Sequence, residues 1–120
     1  QGIWLIDPID GTSNFAAGLP FWGVSVARWH GGAFTHACIV LPDLHQTFSG
    51  AHGDGAWLNG ERLPTVLPGD PKPHELISCC PNVAPLVRQE RLLGRLRCFG
   101  ASIVDGSWVV AQKMRGLYGK

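Results

Sequence analysis

Ile3-Trp4-Leu5-Ile6-Asp7-Pro8-Ile9-Asp10-Gly11-Thr12-Ser13-Asn14-Phe15 is the stretch on which the reading of this chain turns. Four apolar residues run straight into two carboxylates, a proline and a glycine. An uninterrupted apolar run of this length suits a buried strand, covered on both faces of its sheet. Asp7 is expected at the strand's end, where Pro8 holds it extended and starts a turn. Asp10-Gly11 then supplies a bend, and Thr12, Ser13 and Asn14 are good residues for starting a helix.

That spacing has a chemical use. An extended Asp7 and a turning Asp10 can aim two carboxylates at one point, and the carbonyl of Ile9 can face the same way. Carboxylate and carbonyl oxygens are the donors a hard cation such as Mg²⁺ prefers. The amides of Gly11, Thr12 and Ser13 follow at a helix start, where unpaired N–H groups can hold a phosphate and a glycine lets the anion approach closely. Metal ligands and a phosphate cradle one residue apart suggest metal-assisted phosphate chemistry. The same Asp-Pro-x-Asp-Gly string is also an ordinary surface turn, because each of its residues favours turns. The apolar strand leading into it favours the ligand site, since open α/β sheets bind ligands at the carboxyl ends of their strands.

Working outward, Trp22 to Trp29 reads as a strand, His30-Gly31-Gly32 as a turn, and Ala33 to Leu41 as a second strand closed by Pro42-Asp43. Gln46 to Ala51 extends this to an antiparallel meander. Gly53 to Leu63 reads as a hairpin around Asn59-Gly60, a strong two-residue turn signal. The proline-rich stretch from Pro64 to Pro73 is a loop. Glu75 to Cys80 reads as a short strand, Val83 to Arg97 as an amphipathic helix carrying Val87, Leu92, Leu93 and Leu96, and Ala101 to Met114 as a second helix starting near Ser102. Strands and helices together predict α/β or α+β layers.

Bulk properties narrow the function. The chain has 120 residues, 45% hydrophobic and 16% charged, with a formal net charge of +1. It is long enough for one small core, and nothing in its charge indicates nucleic acid as a partner. No stretch reaches the ~18 apolar residues of a membrane span, and no secretory leader is visible. Cys38, Cys79, Cys80 and Cys98 show no C-x-x-C spacing and read as buried, reduced thiols, which fits a cytoplasmic setting. Five scattered histidines do not make a metal site, and Gly50-x-x-Gly53-x-Gly55 lacks the Gly-Lys-Ser/Thr ending of a nucleotide loop. Five tryptophans read as core and rim packing.

Asp7-Pro8-Ile9-Asp10-Gly11-Thr12-Ser13-Asn14-Phe15 resembles the central motif of the inositol monophosphatase family of Mg²⁺-dependent sugar-phosphate phosphatases. The resemblance continues through Leu19-Pro20-Phe21-Trp22-Gly23-Val24-Ser25-Val26-Ala27, the glycine-rich Gly53-Asp54-Gly55-Ala56-Trp57-Leu58-Asn59-Gly60-Glu61-Arg62-Leu63, and Phe99-Gly100-Ala101-Ser102-Ile103-Val104-Asp105. It implies a layered αβαβα sandwich of the sugar-phosphatase type, with residues 1–120 forming a partial domain that lacks its N-terminal and C-terminal parts. It also implies Mg²⁺ bound through Asp7, Asp10 and the carbonyl of Ile9, and Thr12 as the catalytic residue that orients the attacking water. Gly11, Thr12 and Ser13 would bind phosphate through their amides, and the substrate would be a small phosphate monoester. Neither nucleic acid nor a membrane is implied as a partner, and the full-length protein would be a homodimer. Inositol monophosphate or a related sugar or polyol phosphate is the expected substrate; histidinol phosphate, fructose 1,6-bisphosphate and NADP are the alternatives within the family, and a non-catalytic phosphate- or metal-binding module is the alternative outside it. Asp105 is a possible further acidic group near the pocket, and Lys120 falls near the family's substrate-contacting position. Members also carry an upstream glutamate pair and a downstream Trp-Asp, and this chain contains neither. The isolated segment is therefore expected to be inactive.

Overall fold

The computed structural model describes residues 1–89 and 94–119. A six-stranded antiparallel sheet holds the first half of the chain: β1 (Gly2–Asp10), β2 (Gly23–His30), β3 (Ala33–Leu41), β4 (Gln46–Ala51), β5 (Gly55–Leu58) and β6 (Glu61–Arg62), in that order across the sheet. Its hairpins follow local chemistry. Gly31 and Gly32 have φ of 60° and 83°, and Asn59 and Gly60 have 50° and 82°, the paired positive angles that match two-residue turns to strand twist. A short helix, α1 (Thr12–Ala16), leaves the end of β1 and returns through Gly18 toward β2.

The second half builds a three-stranded parallel sheet in the order β8 (Arg95–Arg97), β7 (Leu76–Cys79), β9 (Gly116–Tyr118). Two helices connect these strands, α2 (Ala84–Gln89) and α3 (Ser102–Val110). The position of α3 decides the architecture. Ile103 and Val104 join Leu41 and Phe48 in the main core, with Phe21, Ile39, Leu58 and Trp108 packed around them. From the same helix, Asp105 bonds to Ser78 on β7. The helix thus lies between the two sheets, giving the layered, mixed α/β fold expected.

Three expectations are corrected. The strand does not end at Asp7: β1 continues through Asp10, and between Asp7↔Ser25 and Asp10↔Gly23 two residues, Pro8 and Ile9, stand against one, Val24. Pro8 and Ile9 therefore form a bulge rather than a turn, a place where an edge strand tolerates proline. Nor is β1 buried here. It is the sheet's edge, and Ile3, Trp4, Leu5 and Ile6 are 60%, 60%, 49% and 65% exposed. Third, the helix expected from Val83 to Arg97 does not reach Arg97. Arg95–Arg97 pairs with Leu76–Ser78 as a strand, because tertiary pairing overrides the helical spacing of Val87, Leu92, Leu93 and Leu96. Leu92 and Leu93 of that expected helix lie outside the described residues, as does Lys120.

Candidate active site

The bulge and the glycine after it shape the end of β1. Gly11 takes φ 83° and caps α1 with its backbone alone; the Thr12 side chain makes no cap bond. A side chain at Gly11 would meet the Phe21 carbonyl at 2.7 Å and the Ala101 Cβ at 2.9 Å, so only glycine brings these three segments together. Asp7 is exposed, Ile9 and Asp10 are half-buried, and Thr12 and Ser13 are exposed.

Asp10 is the best-anchored of the expected ligands. Its Oδ1 accepts from the Gly11 amide at 3.0 Å and its Oδ2 from the Ile103 amide at 2.7 Å. The second bond reaches across 93 residues to the first turn of α3, whose dipole favours a negative charge there. Because Asp10 occupies the Gly11 amide, the backbone amides of Thr12, Ser13 and Asn14 are the ones left without partners in the first turn among the described residues.

Asn14 holds the opposite wall. Its Nδ2 donates to the Phe21 carbonyl at 2.8 Å and to the Phe99 carbonyl at 2.7 Å, tying α1 to the approach to α3. Beside this clamp lies a cavity of about 340 Å³, lined by Ser13, Asn14, Cys79, Cys80, Ser102 and Asp105 among others. Asp105 is buried and Ser78 donates a hydrogen bond to its Oδ1. Burial holds its carboxyl above the ordinary value; the Ser78 bond opposes that rise, and the charge of Asp10 adds to it.

Of the expected residues, Asp10, Gly11 and Ser13 thus come together with the start of α3, while Asp7 sits one bulge back on the exposed edge. Asn14, Ser102 and Cys79 are further site residues that sequence reasoning did not single out. Asn14 alone carried a signal, as a polar residue between a helix start and Phe15, and its partners at 21 and 99 are set only by the fold.

The donor chemistry suits a hard cation. Both carboxylates and the Ile9 carbonyl offer oxygen, and each Asp10 oxygen accepts only one of these bonds. Among the described residues no third His, Cys, Asp or Glu joins them. Mg²⁺ commonly takes one or two carboxylates, waters and substrate phosphate, which fits this partial set. All five histidines are exposed, away from any such cluster, and Gly50–Gly55 lies in the β4–β5 hairpin.

A family model described as the inositol monophosphatase family matches residues 1–118. The fructose-1,6-bisphosphatase/inositol-1-monophosphatase of Thermotoga maritima is 30% identical over 120 residues, 93% of this chain and 45% of that protein. The Nus factor SuhB of Pseudomonas aeruginosa is 44% identical over 61 residues, 51% of this chain and 22% of that protein. Among solved structures, the extragenic suppressor protein suhB of Bartonella henselae matches with TM-score 0.87 and 28% identity, covering 99% of this chain and 50% of that one. The chain spans about half the length of such relatives.

Proposed function

The chain belongs to the inositol monophosphatase family, and from that premise we propose that it is the middle part of a longer domain that hydrolyses a small phosphate monoester with the help of Mg²⁺. Inositol monophosphate or a related sugar or polyol phosphate is the proposed substrate. The observation that carries the reading is Asp10, a carboxylate fixed by two backbone amides at the meeting of β1, α1 and α3, beside a cavity walled by Ser13, Asn14 and Ser102.

In this reading Asp7, Asp10 and the Ile9 carbonyl hold Mg²⁺, which when bound supplies a Lewis acid and lowers the pKa of water. The chain's own residues bind and orient the ester and the water. The unpartnered amides of Thr12 and Ser13 orient the phosphate and offset its charge. The exposed Thr12 hydroxyl accepts a hydrogen bond from the attacking water and so aligns it. Asn14 keeps the cradle and the Gly100–Ser102 wall at a fixed separation, so the ester enters a site already formed. The metal ligands and general base that complete the reaction would come from outside this segment, and residues 1–120 alone would not turn over. A homodimer of the full-length protein and a cytoplasmic setting belong to the same proposal.

The second reading is a binding module without catalysis, favoured by the relative that carries the name Nus factor SuhB rather than an enzyme's name. Phosphate release by the full-length protein separates the two. Inositol monophosphate, histidinol phosphate, fructose 1,6-bisphosphate and NADP are assayed with and without Mg²⁺. Mg²⁺-dependent release from one of them, lost at least ~100-fold in Asp10→Asn, is the expected result. No release from any of the four supports the module, and activity unchanged in Asp10→Asn overturns the site assignment.

A further inference from the structure

The four cysteines were expected to be buried, reduced thiols, and the structure separates them. Cys79 is buried, Cys38 and Cys80 are half-buried, and Cys98 is exposed. Cys79 closes β7, and Cys98 follows the last residue of β8. These strands are parallel neighbours with Ser78 opposite Arg97, so the next residue on each is a cysteine. The sulfurs lie 3.3 Å apart, in contact. Neighbouring strands run ~4.8 Å apart, within the Cα separation a disulfide spans.

Three features make the pair more than a packing contact. Cys98 is open to solvent, so a small oxidant can reach one sulfur while the other is shielded. Cys79 lines the cavity together with Ser13, Asn14 and Ser102. The segment that begins at Cys98 passes through Phe99, whose carbonyl Asn14 holds, and reaches Ile103, whose amide holds Asp10.

We propose that Cys79 and Cys98 form a reversible disulfide on the wall of the candidate active site, with hydroperoxides as the oxidant class. The Cys98 thiolate attacks the terminal oxygen of hydrogen peroxide, breaking the O–O bond and leaving a sulfenic acid and hydroxide. The hydroxide takes up the proton that Cys98 gave and becomes water. The Cys79 sulfur then displaces the sulfenic oxygen, the S–S bond forms, and the thiol proton leaves with that oxygen as a second water. Two thiols and one peroxide give one disulfide and two waters, a two-electron oxidation that a dithiol reductant reverses. The order of attack follows from the environment. Burial and the neighbouring Cys98 push the Cys79 thiol up to about 11, so it stays protonated near neutral pH and acts second. Once formed, the bond ties β7 to the segment leading into α3 and stiffens the wall opposite Ser13.

The disulfide itself does not depend on the phosphatase reading; only its effect on the site does. The test uses the full-length protein treated with hydrogen peroxide, alkylated, digested and mapped by mass spectrometry. A Cys79–Cys98 crosslink is expected, with two free thiols lost and both restored by dithiothreitol. Because Cys79 and Cys80 are adjacent, Cys80→Ser fixes the assignment: it should keep the crosslink, while Cys98→Ser should abolish it. Cys98 found as sulfinic acid without a crosslink, a crosslink through Cys80, or an unchanged thiol count would each overturn the proposal.

Discussion

Asp105 shows how one buried carboxyl makes stability depend on pH. It is 2% exposed and takes a hydrogen bond from Ser78, whose single hydroxyl proton it shares with the Arg97 carbonyl at 3.3 Å. Burial raises its pKa from 3.8, so the folded chain holds the proton more tightly than the unfolded chain does. The associated stability is fully present below 3.8 and is lost as the pH rises through the higher folded value. Asn cannot ionise, yet its Oδ1 can still accept from Ser78. Full-length Asp105→Asn should therefore match the parent in acid and be the more stable of the two at neutral pH. Melting curves from pH 4 to 8 check this, and a gap that does not change with pH would contradict it. Residue identity alone marked Asp105 only as an acid near the pocket. What sets its ionisation is Ser78, 27 positions away and brought close by α3.

At the scale of elements, α1 is a five-residue helix without a side-chain cap, too short to hold itself. Asn14 supplies the missing restraint through two bonds that reach β2's approach at Phe21 and α3's approach at Phe99. Asn14→Ala leaves both carbonyls without that donor, and a loss of ~1–3 kcal/mol in urea denaturation is expected. Asn14→Asp should do worse, because it points a carboxylate at two carbonyl oxygens. In the phosphatase reading, either variant also raises KM for the ester, while Asn14→Ala at unchanged stability would remove the clamp from the account. Local chemistry made some elements legible in advance. The β2–β3 and β5–β6 turns were readable from Gly31-Gly32 and Asn59-Gly60, since paired positive φ is a property of those residues. The short strands β8 and β9 were not. Each has three residues and exists only because β7 lies between them, a pairing that no window of sequence contains. The link from Asp10 to Ile103 was hidden for the same reason.

Over the whole molecule, the apolar run that opened the reading is informative by its mismatch. Its composition calls for cover on both faces, and the described residues provide little: Ile3 and Leu5 on one face of β1, Trp4 and Ile6 on the other, are 49% to 65% exposed. Trp29, Phe34, Phe15 and Leu19 are also exposed, on β2, β3, α1 and the α1–β2 connection. The buried apolar residues lie instead where α3 meets Leu41 and Phe48, and in the parallel-sheet half at Ile77, Val83, Val87 and Met114. An unpaired edge of this composition is a template for association. Residues 1–120 expressed alone should therefore bind the dye ANS and elute as aggregates, whereas the full-length protein should be ANS-silent and elute no larger than the proposed homodimer. Gel filtration with light scattering, run on both, decides the matter. A monomeric, ANS-silent 120-residue chain with a cooperative thermal transition would mean that the two sheets around α3 suffice as a folding unit. The strong apolar signal of Ile3–Ile6 would then mark a surface that the folded chain tolerates in water rather than one that the rest of a longer domain covers.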